Sequence, residues 1–352
     1  MYRREFIQKA AAGAFALSLP KMPAFLKDVP MGVVVHSYGF RWNSKIESSK
    51  FPGFTNAIEL VDHCKEIGAG GVQTVVKDWS ADFARKLRNE REKVGLYLEG
   101  SIGLPKRPEQ VAAFEQEVIN AKEAGATILR TVCSSGRRYE TYHSNEEWQN
   151  VKKNALVSLQ LAEPVLRKHK VKLAVENHKD WRATELVAAL KQLNSEWIGV
   201  TLDFGNSISL LEDPMTVVET LAPYVFTTHV KDMGVAEYAD GFLLSEVPLG
   251  KGILDLPKMI ALCKKHNPAV TFNLEMITRD PLEIPCQKKE YWETFGDIPK
   301  SDLDRTLRMV KAQTYKAGLP RVSQLSGDEK LAVEEKNIVE CLSYSNKKLG
   351  IK

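Results

Sequence analysis

The chain has 352 residues, 43% of them hydrophobic and 27% charged, which is length enough for one large core and the composition of an ordinary globular protein. No apolar run beyond the first thirty positions is long enough to cross a bilayer, which excludes a polytopic membrane protein. The formal charge is +4, but Arg3, Arg4, Lys9 and Lys21 lie in the amino-terminal segment, so the remainder is close to neutral and argues against nucleic-acid binding.

Residues 1–30 begin MYRREFIQKAAAGAFALSLP, a basic start followed by a short, Ala-rich, mildly apolar stretch. The adjacent Arg3 and Arg4, with Phe6 and Ile7 behind them, read as a twin-arginine export signal, although Tyr2 stands where that signal usually has Ser or Thr. The alternative is an amphipathic first helix, and no clean A-x-A cleavage site precedes Pro30. The expectation is export to a bacterial periplasm, with no stable membrane insertion. Five cysteines (Cys64, Cys133, Cys263, Cys286, Cys341) show no C-x-x-C spacing, so neither a zinc knuckle nor a disulfide framework is expected.

From residue 31, eight β-rich runs alternate with helical patterns: 31–36, 71–76, 94–99, 127–132, 172–178, 198–203, 225–230 and 270–275. Most are apolar almost throughout, as strands covered on both faces should be. Ser144 with Glu147, Asp213 with Pro214, and Ser301 with Asp304 read as helix starts between them. The pattern predicts a single α/β domain, a (β/α)8 TIM barrel over residues 31–317. An open doubly wound sheet loses its main support because no G-x-G-x-x-G or Walker-type loop follows a strand.

Three segments after strands are long: 134–143, 232–254 and 277–300. They should emerge at the carboxyl ends of the strands, where barrel active sites lie. Their aromatics, Tyr139, Tyr142, Tyr291, Trp292 and Phe295, either stack on a sugar ring or pack the loops onto the barrel. Residues 318–352 form an appendage with a helix over about 327–347, whose Leu331, Val333, Ile338, Val339 and Leu342 need to cover either the barrel or another subunit of a homo-oligomer.

Each of the last four runs ends in a residue that can bind a metal: Glu176, Asp203, His229 and Glu275. The ends of parallel strands converge at one barrel mouth, so residues far apart in sequence meet there, as the ligands of one ion must. Three carboxylates and an imidazole without thiolate favour Mn2+, with Co2+, Mg2+ or Zn2+ as alternatives. Strand alternation puts His178 on the side of Glu176 and Lys231 on the side of His229, which makes both candidates for substrate contact. For His178 the alternative is a hydrogen bond that supports the metal site. Asn206, at the turn out of the sixth strand, His36, at the end of the first, and Arg279, four residues past Glu275, complete the candidate substrate-binding set.

The segments VENH (175–178), LDFGN (202–206), THVKD (228–232), PLGKG (248–252) and NLEM (273–276), in this order, resemble the sugar phosphate isomerase/epimerase family within the xylose-isomerase-like barrel superfamily. The resemblance covers roughly residues 31–310. It implies that Glu176, Asp203, His229 and Glu275 hold a divalent ion, and that Glu176 and Glu275 remove and return a proton beside a carbonyl. Asn206 stands where ketose epimerases often carry a substrate-contacting His.

With export, the expected substrate is a non-phosphorylated sugar or keto-sugar rather than a sugar phosphate. On a 3-keto-glycoside the same proton loss ends either in epimerisation or in expulsion of the C1 substituent, the lyase alternative. A phosphodiester-cleaving endonuclease relative would need further histidines on the early strands, where only His36 ends a run. A non-catalytic sugar-binding protein would have no need for two glutamates flanking a metal.

Overall fold

In a computed structural model, residues 29–134, 136–296 and 299–351 are described. The expected export signal therefore lies outside the described residues, apart from its last two positions.

Eight parallel strands close a barrel: β1 (Gly32–Val34), β2 (Gly71–Val75), β3 (Tyr97–Ser101), β4 (Ile128–Thr131), β5 (Lys172–Glu176), β6 (Ile198–Asp203), β7 (Val225–Val230) and, after two strands of a hairpin, β10 (Thr271–Leu274). Their order around the barrel is β1-β10-β7-β6-β5-β4-β3-β2. The helices between them are α1 (Ala57–Glu66), α2 (Ala81–Val94), α3 (Val111–Glu123), a one-turn α4 (Arg138–Thr141), α5 (Asn145–His169), α6 (Ala183–Leu193), α7 (Pro214–Leu221) and α8 (Leu256–His266). After β10 come α9 (Lys300–Ala312) and α10 (Gly327–Tyr344). Each crossover helix turns one apolar stripe inward. In α1 that stripe is Leu60, Val61 and Cys64, all fully buried, and burial of each such Leu or Val contributes roughly 1.5–3 kcal/mol.

Seven of the eight strands fall within two residues of their expected bounds. The third differs, because α2 runs on through Val94 and ends at Gly95, whose φ of 74° gives the left-handed cap; the strand starts only at Tyr97. Ser301 does not cap α9; it sits inside the helix, which Pro299 precedes. Ser144 and Asp213 do cap, accepting from the backbone N–H of Glu147 and Thr216.

The barrel floor is closed by Tyr97, whose ring lies across two glycines. A Cβ on Gly71 would stand 2.4 Å from three Tyr97 ring carbons, and one on Gly32 would stand 2.3 Å from its hydroxyl oxygen. Only a residue without a side chain fits at either position.

The long segment after β7 is not a loop. It is an antiparallel hairpin, β8 (Asp232–Tyr238) and β9 (Gly241–Val247), joined by β11 (Leu282–Ile284) from the segment after β10. Tyr139, Tyr291, Trp292 and Phe295 pack this layer onto the barrel rather than forming a sugar platform at the mouth, and Tyr142 packs against Trp148 of α5. Tyr139, Tyr291 and Phe295 are buried, with Tyr291 stacked on Phe295 at 5.0 Å. The appendage helix α10 covers the barrel of its own chain. Leu331, Ile338 and Leu342 are buried, Val339 remains exposed, and the Glu334 carboxylate accepts from the backbone N–H of Phe40 and Arg41, just past β1. All five cysteines are free thiols, with Cys64 and Cys263 buried in the core as their helical positions suggest.

Candidate metal centre and barrel mouth

Parallel register puts the four strand-end residues on the same inward face, with Glu176 level with Thr201, two residues before Asp203, and Glu275 two residues beyond the partner of His229. Asp203 pairs with His229 across β6 and β7, His229 pairs with Asn273 across β7 and β10, and Glu275 follows one residue past β10. Glu176, Asp203, His229 and Glu275 each present one donor atom, and these atoms all lie within 4.8 Å of one another. All four side chains are almost wholly buried. Imidazole Nδ1 of His229 faces Glu275 Oε1 at 3.5 Å, Glu176 Oε2 at 3.6 Å and Asp203 Oδ2 at 3.9 Å, with no hydrogen-bond partner among the described residues.

The orientation of that ring is set from below. Gln73 on β2 donates its amide N–H to Glu99 at 2.9 Å, which leaves its oxygen to accept from His229 Nε2 at 2.6 Å. With the proton on Nε2, the Nδ1 lone pair points at the carboxylates. Glu99 is itself held by Thr227, Thr271 and Asn273. An orphaned, lone-pair-bearing nitrogen surrounded by three carboxylate oxygens fits a divalent ion of the hard or borderline kind. Burial works against an imidazolium here, but Glu275 and Glu176 outweigh it and raise His229 to about 9. Before an ion binds, the cluster therefore favours a second proton on Nδ1, and the lone pair becomes available when a divalent ion takes that proton's place.

Buried cations hold Glu176 and Glu275 ionised, whereas burial raises Asp203 above its usual range despite Lys231. Arg130 Nε donates to Glu176 Oε2 at 2.6 Å, while Lys231 Nζ lies 2.8 Å from Asp203 Oδ2 and 2.5 Å from Glu275 Oε2. Burial opposes the Glu176 carboxylate, yet Arg130 and His229 keep its carboxyl well below the usual range; Lys231 and His229 do the same for Glu275. Asp203 accepts from the backbone N–H of Gly205 and Asn206 through Oδ1.

The remaining candidates all reach this neighbourhood, but several are already engaged. His36 Nδ1 is 3.3 Å from Glu275 Oε1 and its side chain is partly exposed. Asn206 is buried and donates to Glu176 Oε1 at 2.9 Å. Arg279 forms a bidentate pair with Glu246 of β9. His178 has a buried, unpartnered Nδ1 among the described residues, and burial lowers it to about 3, so the ring is neutral.

Five residues of the mouth had no place among the candidates. Gln73, Glu99 and Arg130 carry a legible signal, since each is a polar residue at an inward position of an otherwise apolar strand. Glu246 belongs to the hairpin, which Asp240-Gly241 between two β-rich runs marks. Lys179 sits in the turn after β5 and has no such signal. The residue is 3% exposed, and its ammonium donates to Asn206 Oδ1.

Residues 61–295 match the family model described as xylose isomerase-like TIM barrel. A 3-oxo-isoapionate decarboxylase from Pectobacterium atrosepticum is 26% identical over 232 residues, 64% of this chain and 78% of that protein. Among solved structures, a xylose isomerase-like TIM barrel protein from Mycobacterium smegmatis in complex with magnesium superposes with a TM-score of 0.55 at 16% identity, over 80% of this chain and 99% of that one. An E. coli 3-keto-D-glucoside 4-epimerase superposes with a TM-score of 0.54 at 12% identity, over 81% and 99%.

Proposed function

The chain belongs to the xylose isomerase-like TIM barrel family, and from that premise we propose that it is a divalent-metal-dependent isomerase or epimerase of a non-phosphorylated sugar or keto-sugar. The observation that carries the reading is His229 Nδ1, orphaned and facing three carboxylates. Glu176, Asp203, His229 and Glu275 would hold the ion, with Mn2+ the metal expected of this donor set. When bound, the ion would supply Lewis-acid stabilisation of the negative charge that develops on a carbonyl oxygen.

The chain's own part is to place two bases and keep them ionised. Glu176 ends β5 and Glu275 follows β10, with β6 and β7 between those strands, so the two flank the centre. Such a pair suits removal of a proton from one face of the carbon beside the carbonyl and its return on the other face, which inverts that centre. Arg130 and Asn206 orient Glu176, and Lys231 orients Glu275. Both carboxyls are held well below their usual range, so each is a weak base and works only on a C–H made acidic by its neighbour. The named activity of the decarboxylase relative is of the same kind, since loss of CO2 from an oxo acid also leaves charge beside a carbonyl.

The test is proton NMR in D2O of the Mn2+-loaded protein with free ketohexoses and with 3-keto-glucosides. Deuterium beside the carbonyl with a new epimer supports the proposal; release of the aglycone selects the elimination alternative. Glu275→Gln should remain folded and lose the exchange, and full exchange in that variant would remove Glu275 from the chemistry. Export of the chain through residues 1–30 is part of the same proposal: replacing Arg3 and Arg4 together by Lys should retain the protein in the cytoplasm, and unchanged export would refute it.

A further inference from the structure

Two ammonium groups in the mouth converge on one neutral oxygen. Lys179 Nζ donates to Asn206 Oδ1, and Lys231 Nζ lies 3.4 Å from the same atom. Lys231 has two carboxylate partners besides, whereas Lys179, among the described residues, has no carboxylate within 4.0 Å. An ammonium has three donors, and among the described residues one of them is used, in a residue only 3% exposed. A buried charge with a single neutral partner is costly unless a ligand completes its shell. Burial, then Lys231 and Arg279, lower Lys179 to about 8, the sign expected of a cation short of anions.

The charge count of the mouth points the same way. Four carboxylates, Glu176, Asp203, Glu246 and Glu275, face four cations, Arg130, Lys179, Lys231 and Arg279, so these eight charges cancel, apart from the proton that His229 carries until an ion displaces it. Asp180 does not alter this locally: its carboxylate turns to the backbone N–H of Trp181, and burial pushes it up to about 7. A divalent ion then adds two positive charges. A neutral sugar offsets neither of them, because the proton it loses stays in the site on the glutamate that takes it, whereas an anionic substrate offsets one as a carboxylate or both as a phosphate dianion.

We propose that Lys179 and Lys231 form an oxyanion subsite around Asn206 Oδ1, and that the substrate is a sugar acid whose carboxylate docks there while its carbonyl reaches Glu176 and Glu275. Among the described residues Lys179 is the one of the four cations whose side chain has a neutral acceptor and no carboxylate partner, so its contact to Asn206 is the least costly for a ligand carboxylate to replace. The carbonyl end of this assignment rests on the proton-transfer reading above; the oxyanion end does not.

The experiment is calorimetry of the Mn2+-loaded and metal-free full chain with D-glucuronate, D-glucose and D-glucose 6-phosphate as probes. D2O exchange is run in parallel with 5-keto-D-gluconate and D-fructose. The loaded protein should bind glucuronate at least about tenfold more tightly than glucose, more weakly without the ion, as a charge-assisted contact requires. Lys179→Met should remove that preference, and Lys179→Arg should retain most of it; a melting temperature near wild type shows that the variants fold. Equal binding of glucose and glucuronate, or a preference that survives Lys179→Met, overturns the subsite. Tighter binding of the phosphate ester overturns the carboxylate assignment. Exchange on D-fructose without any acid preference sinks the subsite and spares the proposed reaction; an acid preference without exchange on either keto compound sinks the reaction and spares the subsite.

Discussion

Replacing Gln73 by Leu should weaken metal binding although Gln73 is not among the four candidate ligands. The side chain accepts from His229 Nε2 at 2.6 Å, and His229 is fully buried, so no water can replace the lost acceptor. The ring then either keeps an unsatisfied N–H, at about 1–3 kcal/mol, or moves its proton to Nδ1, where it covers the lone pair aimed at the carboxylates. Both outcomes lower affinity, and loss of such an outer hydrogen bond is typically worth about 10–100-fold, or roughly 1.4–2.7 kcal/mol. At a Mn2+ concentration 100 times the wild-type Kd the ion adds about 2.7 kcal/mol of stability, of which a hundredfold weaker variant keeps only about 0.4. Calorimetric titration with Mn2+, beside thermal melts with and without the ion, reads both quantities. If Gln73→Leu binds Mn2+ within twofold of wild type while His229→Ala does not bind it, the argument that Gln73 sets the tautomer is wrong.

Lys231→Met leaves Asp203 Oδ2 and Glu275 Oε2 without the ammonium 2.8 and 2.5 Å away. The metal-free protein should lose about 3–5 kcal/mol, and Mn2+ should stabilise the variant more than wild type; equal Mn2+ effects in the two melts would contradict this. Glu335 of α10 pairs with Arg41 at 2.7 Å and with His63 at 3.2 Å. Burial opposes its charge, but His63 and Arg41 outweigh it and hold its carboxyl below the usual range. A depressed folded value means that its stabilisation is complete above about pH 4.3 and is lost as pH falls through that folded value. Amide exchange in α10 should therefore accelerate there before global unfolding, and unchanged protection of α10 relative to the barrel would refute the pairing. Gly71→Ala forces a Cβ to within 2.4 Å of the Tyr97 ring and should cost about 1–3 kcal/mol, whereas Gly103→Ala, with nothing within 4 Å, should melt near wild type.

Alternation of apolar runs with helical patterns determined the barrel, because a strand covered on both faces has to be apolar throughout and parallel neighbours need a crossover between them. That topology also made Glu176, Asp203, His229 and Glu275 legible: once four successive strands end in a donor, closure of the barrel leaves their side chains nowhere to go but one mouth. Partnering was not legible, because a hydrogen bond needs a distance and a direction that spacing along the chain does not contain. Only the closed barrel sets Gln73 under His229, Arg130 against Glu176 and Lys179 on Asn206. The aromatics after β4 and β10 read equally as a sugar platform or as packing, and tertiary structure decided for packing because the β8, β9 and β11 sheet offered Tyr139, Tyr291, Trp292 and Phe295 a surface to bury and Trp148 offered one to Tyr142. Arg279 likewise reads as an anion contact until the hairpin carries Glu246 to it; whether a guanidinium is free for a ligand depends on the charge that the fold brings beside it.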